Sequence, residues 1–209
     1  MARRSDHTRE EIKTMAVAAG RELIRDAGYA GFSARKVATA IGYTVGTLYN
    51  VFENHDDIIL HINAVTLEDL LSVMESRFGV SGDASADLDD YEALRALAAC
   101  YIDYARENYN CWSALFEHNL APDMPLPDWY GEKIGALFTL IEARLKPVVG
   151  EDEAELRQTA RVLWASIHGI CALTLTNKLT LVGVETAESL TAALIENYIA
   201  GLKTRPARL

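Results

Sequence analysis

The chain has 209 residues, 50% of them apolar and 24% charged, enough to bury a real core and far from the composition of a disordered segment. Its net charge of −10 at pH 7 sets the surface as a whole against nucleic acid and phospholipid. No apolar run approaches the roughly 20 residues of a membrane span, and "MARRSDHTREE" turns acidic where a secretory signal turns apolar, so a cytoplasmic protein is expected.

In chain order the sequence reads as helix almost throughout. Thr8 with Glu11 forms a capping box, and Ile12, Met15, Ala16, Ala19 and Leu23 recur at helical spacing until Gly28. Ser33 caps a short second helix, "ARKVATAI", with Val37 and Ile41 on one face, and Gly42 ends it. After a turn at Gly42 and Tyr43, Thr44 caps a third helix to about Phe52. Asn54 caps a fourth whose first turn carries Asp56 and Asp57 and whose apolar pattern runs from Ile58 to Phe78. Two short helices about a glycine turn suggest a helix-turn-helix. "GVSGDASADLDD" then reads as a loop, and helical patterns resume over Tyr91–Glu107, Cys111–His118, Trp129–Lys146, Glu153–Lys178 and Ala187–Lys203, with Pro122, Pro125 and Pro127 in the longest ordered loop. The expected fold is all-α, with about nine helices and no sheet. Cys100, Cys111 and Cys171 have no metal-ligand or redox spacing and read as reduced, mostly buried thiols.

Charge divides the chain at residue 54. Residues 1–54 carry eight basic and six acidic residues, which leaves twelve basic against twenty-four acidic in 55–209. The mildly basic head is where phosphate contacts are expected. On the third helix, Leu48 and Phe52 define the inner face, Gly46 and Asn50 lie nearly opposite, and Thr47 and Tyr49 flank them. A solvated helix face usually carries Lys or Glu, and none occurs between Tyr43 and Phe52. A small, polar face suits a major groove: Gly46 admits close approach, Asn50 can pair bidentately with adenine, Val45 can touch a thymine methyl, and Thr47 and Tyr49 can bond phosphate.

Gly28, Ser33, Val37, Ala38, Gly42, Thr44, Gly46, the Thr47–Tyr49 "TLY", Phe52 and "NHDDIIL" together resemble the tetracycline-repressor (TetR) family of bacterial transcription regulators. The resemblance covers roughly Thr8 to Ile62. In the body, "WASIHG" at Trp164–Gly169 looks like a Trp-x-x-x-His-Gly signature of one group of these regulators. The resemblance implies a helix-turn-helix head at 1–54 and an effector-binding and dimerisation body at 55–209. It also implies a homodimer on an inverted-repeat operator, a ligand cavity in the body, and repression released by a small molecule. The last two helices would pair with their copies, and the surplus leucines Leu173, Leu175, Leu179 and Leu181 point the same way. Two departures stand out: Val45 and His55 occupy positions where the family commonly has polar or lysine side chains. Phosphate anchoring therefore leans on Arg3, Arg4, Lys36, Tyr49 and the helix starts capped by Ser33 and Thr44, with His55 a further candidate.

Candidates for lining a cavity are Tyr101, Tyr104, Trp112, Phe116, Trp129, Phe138, Trp164, His168 and Cys171, each of which could equally be core. The five histidines make no metal-like cluster, so neither metal nor cofactor is expected. Two other functions stay open. An architectural DNA-binding protein would have little use for about 140 residues of acidic, aromatic-rich helix. A helical enzyme would lack any phosphate loop, nucleophile elbow or zinc-protease histidine pair.

Overall fold

The computed structural model describes residues 7–78, 90–120, 124–181, 183 and 186–204. The loop expected at 79–90 lies almost wholly outside the described residues, as do Pro122, Arg3 and Arg4. The elements are α1 (Arg9–Ala27), α2 (Ala34–Ala40), α3 (Val45–Tyr49), α4 (His55–Phe78), α5 (Asp90–Glu107), α6 (Tyr109–Glu117), α7 (Asp128–Val149), α8 (Glu153–Leu175) and α9 (Ala187–Lys203). Short 3-10 turns cover Tyr29–Gly31 and Leu179–Leu181, and no strand occurs among the described residues. The protein is all-α.

Helix starts follow local chemistry. The capping box of α1 is complete: Glu11 N–H donates to Thr8 Oγ1, and the Glu11 carboxylate accepts from Thr8 N–H at 2.6 Å. Ser33 accepts from Lys36 N–H, Thr44 from Thr47 N–H, and Asn54 from Asp57 N–H at 2.8 Å. Gly42, with φ of +76°, takes the left-handed turn that a side chain would strain, and Tyr43 N–H closes it onto the Ala38 carbonyl.

Two helices stop three residues short of the sequence pattern, and α7 runs three past it, to Val149 rather than Lys146. The third helix stops at Tyr49 rather than near Phe52, although Phe52 N–H still bonds the Leu48 carbonyl at 2.8 Å. The eighth stops at Leu175 rather than Lys178, because Asn177 adopts the left-handed conformation (φ 56°) and Lys178 N–H turns back to the Leu173 carbonyl.

Packing divides the chain into two compact units, 1–69 with 108–133 and 70–107 with 134–209. This grouping differs from a cut at 54/55: α6 and the first turns of α4 and α7 pack in the same unit as α1–α3. In that unit Ala16, Ile24, Val37, Leu48, Phe52 and Ile58 form the core, with Cys111 and Ala114 of α6 among them. At Gly20 the helices leave no room, since a Cβ there would come within 2.3 Å of Ile62 Cδ1. Asn110 of α6 donates to the Arg25 carbonyl at 2.7 Å, and buried Asn63 of α4 donates to the Ala114 carbonyl at 3.2 Å. In the second unit Leu94, Ala98, Leu145, Leu163, Ile195 and Ile199, from α5, α7, α8 and α9, share one core.

A five-residue helix is far too short to persist by its own hydrogen bonds, so α3 depends on its buried side chains. Leu48 has no exposed surface. Leu48→Ala is expected to destabilise the protein by about 2–5 kcal/mol in urea unfolding. A loss under about 1 kcal/mol would mean that α3 is held by something other than this contact.

Candidate DNA interface and effector cavity

The face of α3 opposite Leu48 is open to solvent. Gly46 and Asn50 are exposed, Tyr49 retains 45% of its surface, and Thr47 is half-buried. Asn50, the C-cap residue, keeps right-handed geometry (φ −83°, ψ −15°), so its side chain continues the helical face. The Thr47 hydroxyl lies 3.0 Å from that of Thr44, and each can donate to the other. Val45, in contrast, is partly buried against the head core, so it presents less apolar surface outward than its position on the helix suggests.

Other DNA-facing candidates surround this helix. Ser33 is engaged as the α2 cap, and the Lys36 ammonium donates to the Gly31 carbonyl at 2.6 Å. His55 is exposed at the first position of α4, its ring 5.6 Å from that of Phe32. Tyr43, which the sequence marks only as a turn residue, holds His7 Nδ1 at 2.8 Å and so ties the segment before α1 to the turn before α3. That pairing spans 36 residues and leaves no local signal.

Beneath this surface lie two half-buried histidines. His118, at the end of α6, has Nδ1 at 2.9 Å from the Tyr29 hydroxyl and Nε2 at 3.5 Å from an Asp56 carboxylate oxygen. Burial lowers its pKa, His55 adding to the effect and Asp56 opposing it. His61 stacks on Trp129 at 4.4 Å and lies 3.3 Å from Asp57. Burial again lowers its pKa, helped by Lys13 and Lys133 and opposed by Asp57 and Glu10. The tautomer of His118 decides which of it and Tyr29 donates.

The second unit contains a small apolar cavity of about 50 Å³, walled by α4, α5, α7, α8 and α9. Of the aromatic candidates, Tyr101 and Trp164 line it. His168 stands behind them, 2.9 Å from the Tyr101 hydroxyl through Nδ1 and stacked on Trp164 at 5.5 Å. Phe138 packs T-shaped with Trp164 at 5.7 Å between ring centres, and the Arg161 guanidinium lies over the Phe138 ring, 4.6 Å from its centre. Tyr104 and Cys171 are buried without lining the cavity, and burial pushes the Cys171 thiol up to about 11. Trp112, Phe116 and Trp129 belong to the other unit, where Trp112 and Phe116 pack edge to face at 5.3 Å. The walls are otherwise aliphatic: Leu94, Leu97, Ala98 and Tyr101 on α5 follow i, i+3, i+4, i+7 spacing, which in sequence is indistinguishable from core. All three cysteines are buried and unpaired. Among the described residues no three His, Cys, Asp or Glu side chains gather as a metal site, and no helix is long and apolar enough to cross a membrane.

A capped short helix behind a tight turn, its outer face small and polar and its inner face locked into a core, defines a helix-turn-helix DNA-binding protein with a larger helical body. Residues 16–62 match the bacterial regulatory proteins of the tetR family, and residues 94–197 match the tetracyclin repressor-like C-terminal domain. Together these matches take in more than half of the chain, which belongs to the TetR family of transcriptional regulators. No curated protein matches it significantly in sequence. Among solved structures, a protein of unknown function from Rhodococcus sp. RHA1 has a TM-score of 0.70 at 16% identity, over 96% of this chain and 98% of that one. The regulator FadR from Bacillus subtilis, solved with stearoyl-CoA, has a TM-score of 0.61 at 16% identity, over 90% and 98%. RolR, solved with resorcinol, has a TM-score of 0.61 at 14% identity, over 96% and 97%. At these identities the likeness is one of fold.

The buried histidines set a pH dependence of stability. Their folded-state pKa values lie below the unfolded ones, so the folded protein binds fewer protons near the ordinary histidine pKa of about 6.5. Their contribution is complete above that pH and is lost as pH falls through it. Urea unfolding at pH 7.5 and 5.5 is expected to show a smaller acid loss in His118→Asn than in the wild type. Equal losses would assign the titration to other groups.

Proposed function

We propose that this regulator is a repressor that binds an inverted-repeat operator as a homodimer and leaves it when a small molecule enters the cavity of the body. Residues 1–54 supply the DNA contacts and 55–209 the effector and dimer functions, in the cytoplasm. The observation that carries this reading is the outer face of α3: Gly46, Tyr49 and Asn50 stand exposed while Leu48 and Phe52 are buried. A small polar face with neither Lys nor Glu fits a major groove. Gly46 permits close backbone approach, since little lies near a Cβ there except Thr44 Oγ1 at 3.7 Å. Asn50 reads a base edge, Tyr49 and Thr47 contact phosphate, and the helix starts at Ser33 and Thr44 face the backbone.

The effector half of the reading is supported by the apolar cavity, and by FadR and RolR, which were solved with stearoyl-CoA and resorcinol. The dimer half is supported by apolar surface on and after α8: Val162 is 38% exposed, Leu173 46% and Leu181 75%. Such residues on and after α8 would pack against a second copy.

Selection of bound duplexes from a random pool is expected to yield a two-fold motif with half-sites about 34 Å apart or more. A sequence-independent pool would contradict the proposal, and so would a monomer at micromolar concentration that binds DNA normally. Within the selected site, Asn50→Ala is expected to relax one base pair by about 1–3 kcal/mol, whereas Tyr49→Phe weakens all sequences alike. The opposite pattern would exchange the roles of the two residues.

His55 is proposed to donate to a phosphate oxygen at the start of α4. His55→Ala is then expected to weaken binding to all sequences alike. An unchanged affinity in His55→Ala would leave His55 no such role.

A further inference from the structure

A cleft of about 400 Å³ lies between α5 and α9 of the second unit, and exposed Ala99 and Glu188 among its walls open it to solvent. None of its lining side chains lines the small apolar cavity. The two helices run antiparallel, since Arg95 pairs with Glu196 at 2.6 Å and Arg106 with Glu188 at 3.6 Å. Small side chains at Ala96, Ala99 and Ala192 leave the space between them. Charge is ordered along this space. Arg95 stands toward one end, and Asp103 lies eight residues further along α5, about 12 Å at the helical rise. Glu188 joins Asp103, because the Arg106 guanidinium reaches both carboxylates, at 3.0 Å and 3.6 Å. Thr191 lies one turn from Glu188 on the same face of α9. It is 4% exposed, and its hydroxyl has no hydrogen-bond partner among the described residues. A buried, unpaired hydroxyl is uncommon and unfavourable, and a polar group entering the cleft relieves it.

We propose that the cleft between α5 and α9 binds a small zwitterion of the ω-amino-acid type, its ammonium held by Asp103, Glu188 and the Thr191 hydroxyl and its carboxylate by Arg95. A primary ammonium has three N–H donors, and three side chains with acceptor oxygens stand at this end. At the other end Arg95 donates to Glu196 through Nη1, which leaves further guanidinium N–H groups for a second carboxylate. The existing ion pairs do not close the cleft. Asp103 meets Arg77 only at 3.9 Å, and Glu188 meets Arg106 at 3.6 Å, both beyond hydrogen-bond length. All of these pairs are partly exposed, where an ion pair contributes little. Asp103, Glu188 and Glu196 are balanced by Arg77, Arg95 and Arg106. A ligand with one charge therefore matches one end alone, whereas a zwitterion matches both. The site is separate from the effector reading: α5 and α9 build it, and its test needs no DNA.

The test uses the full-length protein and three probes of one chain length, 6-aminohexanoate, hexylammonium and hexanoate, titrated calorimetrically at pH 7.5 and low salt. With a hydrogen bond at each end, the first of these is about as long as the distance from Arg95 to Asp103. It is expected to bind once per chain with a Kd below about 1 mM, at least about tenfold tighter than either singly charged probe. Thr191→Val keeps the side-chain shape and removes the unpaired hydroxyl, so the fold is retained. It is expected to weaken 6-aminohexanoate and hexylammonium about tenfold and to leave hexanoate unchanged. Arg95→Gln is expected to abolish the preference for 6-aminohexanoate over hexylammonium. Three results would overturn the proposal: 6-aminohexanoate binding no tighter than the singly charged probes, no saturable binding of any probe, or binding indifferent to both substitutions.

Discussion

A five-residue helix cannot hold its own shape, and the head is organised around that constraint. Leu48 and Phe52 are buried to 0% and 2% exposure, and Thr44 caps the helix start. Fixing one face fixes the direction of the opposite face, because the Cα–Cβ bonds of a helix keep set angles to one another. Gly46, Tyr49 and Asn50 are therefore turned to solvent together. The left-handed Gly42 and the Tyr43-to-Ala38 hydrogen bond set the angle between α2 and α3. The surface proposed to meet DNA is what remains after the core has taken Leu48 and Phe52.

The body follows a different rule. Its helices carry their ions on outer surfaces, paired as Arg95 with Glu196 and Arg161 with Glu142, and give the interior to aliphatic side chains. Where the interior is polar, the groups pair with one another, as Tyr101 does with His168; the Thr191 hydroxyl is the exception.

How much of this was legible in the sequence depends on the range of the interactions. Caps were legible because donor and acceptor lie within three residues: Thr8 with Glu11, Ser33 with Lys36, Thr44 with Thr47, Asn54 with Asp57. The all-α class and the helix-turn-helix followed from periodicity plus those caps. The stop of α8 was missed because its leucines continue past Asn177, whose left-handed turn leaves little trace in an apolar pattern. The inclusion of α6 with the head was invisible, since it rests on contacts such as Asn110 to Arg25 and Tyr29 to His118, 85 and 89 residues apart. The cavity was half legible. Aromatic residues attracted attention, yet most of its wall is leucine, isoleucine and alanine at ordinary core spacing. Whether such residues enclose a space or fill it is decided by helix placement, which the sequence does not display.

The outer face of α3 is proposed to be the surface that meets DNA. Nuclear magnetic resonance of isotope-labelled protein, titrated with a duplex carrying its selected site, tests that claim residue by residue. The backbone amides of Thr44 to Asn50, together with those at the starts of α2 and α4, should shift most on addition of stoichiometric duplex. Shifts concentrated on α8 and α9, with Thr44 to Asn50 unmoved, would contradict it.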